Sequence, residues 1–318
     1  MFYIDQTTAA FQHAKLEHYT NLRYIIKKKL QGKKFTETHP KGLSRRINQV
    51  SGIHSDVSNF LLDEQNLKTL LIGTPEELNH IKLKFVTKKT IASIKSLIKY
   101  DSFIDTSKDN TFSFYHAYHL AENLNIPTCV YCNRLYTQTI IPSPGEYIAR
   151  ATLDHWFPKS KFPFLALSFY NLIPSCNICN SSVKGATNYT LRDIFHPYLK
   201  HNSISRQLDF KFSYDMEDHI HAKGKFISKN KFTDSSLSAM KLKEIYEVHT
   251  EEIRELIHLK KAYSDSYISS LNSLLKTSIS PEEVYRLAFG THFEDDLLIK
   301  RPLSKLKKDI LLGLGIIV

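Results

Sequence analysis

Two Cys-x-x-Cys pairs, Cys129/Cys132 in TCVYCNR and Cys176/Cys179 in SCNICNS, account for all 4 cysteines of the chain. Two residues between thiolates let one turn of backbone aim both sulfurs at a single ion. Two such knuckles complete a tetrahedral all-sulfur site, whose softness and geometry favour structural zinc. That constrains the fold, because whatever lies between the pairs must begin and end at one point. The interval is 43 residues, longer than the roughly 15–20 of a simple zinc ribbon. A folded element is therefore expected inside the loop.

Reading the cysteines as metal ligands rather than disulfides presumes a reducing compartment. The opening MFYIDQTTAAFQH carries Asp5, lacks a basic start and lacks an apolar stretch, so no signal peptide is expected. The longest apolar run, Ile310 to Val318, is broken by Gly313 and Gly315. It falls short of the roughly 18–20 residues of a membrane span and is expected to be a docked strand or a partner-binding tail, the strand foremost. A cytoplasmic protein with no membrane segment follows as the expectation. Redox dithiols would want a thioredoxin-like βαβ pattern, which does not surround these pairs.

At 318 residues and 42% hydrophobic, the chain can bury a core, which excludes a fully disordered protein. Lys plus Arg number 43 against 32 Asp plus Glu, a net +11. Such a surplus suits a polyanionic partner without identifying it. Residues 1–50 hold 10 Lys/Arg against 3 Asp/Glu, including Lys27-Lys28-Lys29, Lys33-Lys34 and Arg45-Arg46, interleaved with Tyr19, Tyr24 and Phe35. That run is either a solvated helix face or a surface that follows phosphates.

Three regions follow. Residues 1–110 form a basic helical region, in which Thr74-Pro75-Glu76-Glu77 is a capped helix start. Residues 111–200 concentrate aromatics, prolines and every cysteine, without helical periodicity. Residues 201–318 hold an alternating strand at Leu208, Phe210, Phe212 and Tyr214, a hairpin return over 220–227, and helices. One long helix is expected from Leu237 through Leu242, Ile245, Val248, Ile253, Leu256, Tyr263, Tyr267, Leu271 and Leu274. His249 and Lys260 interrupt its apolar face and are expected to be hydrogen-bonded structural groups. Ser280-Pro281-Glu282-Glu283 caps a further helix, which Gly290 ends.

Inside the cysteine loop runs LDHWFPKSKFPFLALSFYNLIPSCNICNSSVKG, residues 153–185. An Asp-His pair, an Asn-Leu-x-Pro segment 16 residues after the histidine, and a Cys-x-x-Cys-Asn-x-x-x-Lys ending stand there together. In this set the chain resembles the HNH, or ββα-metal, nuclease family, over roughly residues 128–185. The resemblance implies an α+β fold: a ββα-metal core framed by the four-cysteine zinc site, with mainly helical N- and C-terminal regions.

The chemistry of that family asks for these residue types. Phosphodiester hydrolysis needs a base for water and a divalent ion to offset charge on the phosphoryl and leaving oxygens. A neutral imidazole suits the first task near pH 7, and His155 takes that role. Asp154 and Asn180 offer hard oxygens for a catalytic Mg²⁺ or Mn²⁺. Neighbours on a strand point to opposite sides, so Asp154 and His155 serve together only where the strand twists or ends. By resemblance Asn171 holds the loop and orients His155, while Lys184, one turn after Asn180, is a candidate phosphate contact. The family often has His where Asn180 stands. Trp156, Phe157, Phe162, Phe164 and Phe169 are expected in the core.

A narrower resemblance joins LDHWFPKSKFPFLALSFYNLIPSC, His196-Pro197-Tyr198 and RPLSKLKKDI to HNH proteins of Septu-type bacterial antiphage defence and their retron-linked relatives. It implies an endonuclease that cuts nucleic acid, foremost DNA, beside an ATPase partner subunit. The alternative is a zinc-framed nucleic-acid-binding module without catalysis. A zinc deaminase is excluded, because Ser175 separates Pro174 from Cys176, no upstream His-x-Glu exists, and a closed shell of four sulfurs has no open position for water.

Overall fold

Short polar caps divide the first part of the chain into helices. In a computed structural model, which describes residues 1–39, 41–42, 47–107, 111–200, 209–216, 222–228, 230–262 and 281–316, they are α1 (Ala9–Gln31), α2 (Ser55–Leu62), α3 (Glu64–Ile72), α4 (Pro75–Ile81), α5 (Lys88–Leu97), α6 (Tyr100–Ile104) and α7 (Ala117–Leu124). Thr8, Asp63, Thr74 and Thr87 each accept a backbone N–H of the following turn. At Thr74 the capping box is complete: Thr74 Oγ1 takes the Glu77 N–H at 3.3 Å, and Glu77 Oε2 takes the Thr74 N–H at 2.7 Å. Helix α7 lies where no helical period is apparent in the sequence. Its eight residues are too few to establish one against the surrounding aromatics.

By contacts the chain divides into two units: Ile4–Ile126 with Thr137–Leu191, and Met1–Tyr3 with Pro127–Tyr136 and Arg192–Val318. In the first, α1 buries Phe11, Ala14, His18, Leu22 and Ile25, a stripe spaced by three and four residues. Phe11 meets Phe169 edge-on at 5.2 Å. The Lys27-Lys28-Lys29 run is neither a solvated face nor a phosphate surface. Lys27 Nζ donates to the carbonyl of Leu62, the last residue of α2, and Lys29 Nζ donates to that of Leu97, the last residue of α5, at 3.0 Å. Helix ends leave carbonyls without partners and carry partial negative charge, so a buried ammonium is well placed there. Lys28 donates to the Phe35 carbonyl. Arg45 and Arg46 lie outside the described residues.

The same unit holds a two-stranded antiparallel hairpin, β1 (Thr152–His155) and β2 (Leu172–Ser175), in the register Asp154↔Ile173 and His155↔Leu172. Trp156, Phe157, Phe164 and Phe169 are buried almost completely, as core residues should be.

In the second unit β3 (Phe210–Met216) pairs antiparallel with β4 (Ala222–Ser228), placing Phe212 opposite Phe226. The hairpin matches the alternation in the sequence; Leu208 and Ile220 lie outside the described residues. The expected long helix is instead three, α8 (Lys231–Ala239), α9 (Leu242–Tyr246) and α10 (Thr250–Ala262). Lys241 adopts φ +47°, which breaks the helix between α8 and α9. Tyr246, at the end of α9, packs on Phe212 at 4.6 Å, and Val248 stays 68% exposed. Apolar spacing persists across such breaks and hides them. Tyr263, Tyr267, Leu271 and Leu274 lie outside the described residues.

Helix α11 (Pro281–Phe289) follows, ended by Gly290 at φ +64°, a conformation that favours glycine. Its expected cap, Ser280, lies outside the described residues. Over its described residues the apolar end is not a strand: Ser304–Gly313 form helix α12, which buries Leu306, Ile310 and Leu311. Asp309 on α12 accepts the Phe212 N–H at 2.8 Å. The apolar residues alone do not distinguish strand from helix; the spacing 306, 310 is helical. Among the described residues no helix is long and apolar enough to cross a membrane.

Candidate functional site

The four cysteines converge. Their sulfurs all lie within 4.8 Å of one another, and all four residues are buried. Each pair is presented by a tight turn. Asn133, at φ +53°, returns its N–H to the Cys129 carbonyl at 2.8 Å, and the Cys129 N–H donates to Leu135 at 3.1 Å. Asn133 Nδ2 reaches Thr128 Oγ1, Leu298 O and Arg301 O. Tyr246 donates its hydroxyl to the Cys132 carbonyl, and Arg134 Nε donates to His249 Nε2 at 2.6 Å, while His249 Nδ1 meets Glu252 at 2.9 Å. His249 is thus a hydrogen-bonded structural group.

At the other pair the Cys179 N–H points to Cys176 Sγ at 3.5 Å and the Asn180 N–H donates to Cys176 O at 3.0 Å. Four thiolate donors at this separation, shielded from water, suit zinc in chemistry and number. A zinc ion here would hold the knuckles in register and, with its shell closed, offer no place for substrate.

β1 ends at His155, the last paired residue of the strand, opposite Leu172. Between β1 and β2 the chain makes a loop whose three successive carbonyls are each taken by a different side chain. Asn171 Nδ2 donates to Leu165 O at 2.9 Å, His155 Nε2 to Ala166 O at 3.0 Å, and His18 Nε2 to Leu167 O at 2.8 Å. Asn171 also accepts the Phe157 N–H at 2.7 Å and donates to Phe157 O at 3.1 Å. It is a bracket between the two ends of the loop. The Trp156 N–H closes the base of the hairpin on Asn171 O at 3.1 Å.

The bond to Ala166 requires the proton of the neutral ring to sit on Nε2, so Nδ1 carries the lone pair. Among the described residues Nδ1 has no hydrogen-bond partner. Burial pushes the His155 pKa down to about 4, only partly opposed by the carbonyl of Ala166. The imidazole is therefore neutral at pH 7.

Asp154 is buried on β1, and its Oδ1 lies 3.3 Å from Lys184 Nζ. Lys184 is buried too and donates to the His155 carbonyl at 2.6 Å. Burial lowers its pKa, and the Asp154 carboxylate works against that shift. Lys184 reaches this place because the π-helical turn Ile178–Lys184 ends at Gly185, whose φ of +50° favours glycine. Asn180 stands half-buried on the same turn, directly after Cys179. As oxygen donors, the Asp154 carboxylate and the Asn180 amide are of the kind Mg²⁺ takes, with its other positions left to water and phosphate. Any ion at Asp154 shares that carboxylate with an ammonium.

Two residues are not apparent as site components from the sequence. His18 stands on the apolar stripe of α1, and that spacing alone marks it as buried. Tyr100 carries no such signal. Its ring lies 4.4 Å from the His155 ring at 75°, and its hydroxyl donates to Leu153 O at 3.3 Å.

Compared with known proteins, the chain matches no family model, no curated protein and no solved structure.

Proposed function

We propose that the chain is a metal-dependent endonuclease that hydrolyses phosphodiester bonds, with DNA as the foremost substrate. One observation carries the reading: a neutral histidine at the end of a short hairpin, its Nε2–H fixed on a backbone carbonyl and its Nδ1 lone pair unengaged. A structural histidine gains nothing from leaving that lone pair unbonded, whereas a general base requires it. The order hairpin, cysteine knuckle, helical turn supports the ββα-metal resemblance, and the sulfur cluster supports a zinc frame.

In this reading His155 Nδ1 takes the proton of the attacking water. Asn171 keeps the loop, and with it the Ala166 carbonyl, in place against the ring. Asp154 and Asn180 would hold Mg²⁺, which supplies charge neutralisation for the phosphoryl and leaving oxygens. An antiphage effector acting beside an ATPase partner in the cytoplasm is the biological setting we infer, supported by the likeness of residues 153–176, His196-Pro197-Tyr198 and 301–310 to such proteins. The competing reading, a binding module without catalysis, takes its motivation from the basic run, and Lys27 and Lys29 are turned inward.

The test is nicking of supercoiled plasmid with Mg²⁺ by the wild type and by His155→Ala. We expect a loss on the order of 10²–10⁴-fold at unchanged zinc content. Full activity in the variant would sink the mechanism.

A further inference from the structure

We propose that α6 completes the site: Tyr100 positions His155, and Lys159, held over the Tyr100 ring, is the cation that meets substrate phosphate. The proposal rests on the nuclease reading above and names a substrate contact for it.

Tyr100 is anchored to the strand it serves. Its hydroxyl donates to the carbonyl of Leu153, two residues before His155 on β1, at 3.3 Å. From there its ring meets the imidazole at 4.4 Å and 75°, an edge-to-face contact. His155 is thus held at Nε2 by Ala166 and across the ring by Tyr100. The two restraints come from different parts of the fold, and together they leave the imidazole a single orientation.

Lys159 converges on the same ring. Its Nζ lies 4.6 Å from the Tyr100 centroid and 3.1 Å from the carboxylate of Asp101, the next residue of α6. Charge pairing distinguishes it from Lys184. The Lys159 and Asp101 side chains are 45% and 89% exposed, whereas those of Lys184 and Asp154 are 0% and 2% exposed. An exposed ion pair contributes little and exchanges partners readily. Breaking a buried pair leaves an uncompensated charge. A phosphate therefore draws Lys159 from Asp101 far more easily than Lys184 from Asp154.

The experiment combines plasmid nicking with binding of a fluorescent DNA duplex across a salt series. Lys159→Met should raise KM and reduce the salt slope of binding by about one, and Lys159→Arg should restore both. Tyr100→Leu should lower kcat on the order of tenfold or more at unchanged KM, while Tyr100→Phe, which keeps the ring contact but loses the Leu153 bond, should lose less. Wild-type KM and salt slope in Lys159→Met, or wild-type kcat in Tyr100→Leu, would overturn the proposal. Should Tyr100→Leu lose zinc or melt early, the Lys159 pair decides, with Tyr100→Phe required to stay active. A wild type that leaves plasmid intact overturns the nuclease reading and this proposal together. An active wild type with indifferent variants overturns this proposal alone.

Discussion

The imidazole of His155 donates through Nε2 to the carbonyl oxygen of Ala166, 3.0 Å away. That single bond selects the tautomer, and burial selects the charge: the ring is neutral down to about pH 4. A base must be unprotonated to act, so the active form persists above that value and is lost as pH falls through it. We expect the nicking rate to show no acid limb from this group between pH 6 and 8. A limb centred near the ordinary imidazole value of about 6.5 would mean that the ring is wetter than the structure has it.

Stability should respond to acid through His18. Burial pushes its pKa down to about 4, with the Leu167 carbonyl partly opposing. The unfolded chain binds a proton near pH 6.5 that the folded chain refuses, so the contribution is complete above about 6.5 and drains away towards 4. The loss is roughly 3 kcal/mol at most. Urea melts at pH 7.5 and pH 5 should differ accordingly, and His18→Phe should narrow the gap. Equal midpoints in the wild type would contradict the buried neutral ring.

Lys184→Met leaves the Asp154 carboxylate, 2% exposed in its side chain, without its ammonium. A destabilisation of about 3–5 kcal/mol is expected. Asp154→Asn on that background should recover part of it, because the stranded charge is gone. A double-mutant cycle by chemical denaturation reads the coupling, and additive effects would show that the pair is not formed.

Replacing Cys179 by Ser should lower bound zinc, measured by elemental analysis, and abolish a cooperative melt. Structural zinc sites contribute folding free energy directly. A strong chelator should act in the same way on the wild type. Retention of a sharp transition after complete chelation would argue that the four sulfurs, within 4.8 Å of one another, pack without an ion.

Asn171→Ala removes three hydrogen bonds from the loop and strands the Phe157 N–H and carbonyl, while Leu165 O keeps the Ser168 N–H at 3.1 Å. About 1–3 kcal/mol is expected for each buried group left unsatisfied. Activity should fall further than stability explains, since Ala166 is the next residue after Leu165. Nicking measured well below the variant's melting point separates the two.

What the sequence disclosed was local or chemically stereotyped. The Thr74–Glu77 box, the alternation at Phe210 and Phe212, and the convergence of Cys129, Cys132, Cys176 and Cys179 each follow from spacing alone. What stayed hidden depends on distant partners. The contact of Tyr100 with His155, and the grip of His18 on the Leu167 carbonyl 149 residues away, have no local signature. The break at Lys241 is hidden for another reason: apolar spacing is the same on either side of it. The inward turn of Lys27 and Lys29 is a matter of where α2 and α5 end, which charge patterning cannot express.

Those two lysines also change how chemical footprinting of this chain must be interpreted. Their ammonium groups are end-stops for α2 and α5, so acylation there unseats helices before it removes any contact with a polyanion. A reagent that blocks every lysine and abolishes nucleic-acid binding would report a lost scaffold. Only protection of individual exposed lysines, scored one by one under conditions that leave Lys27 and Lys29 unreacted, would outline a true footprint.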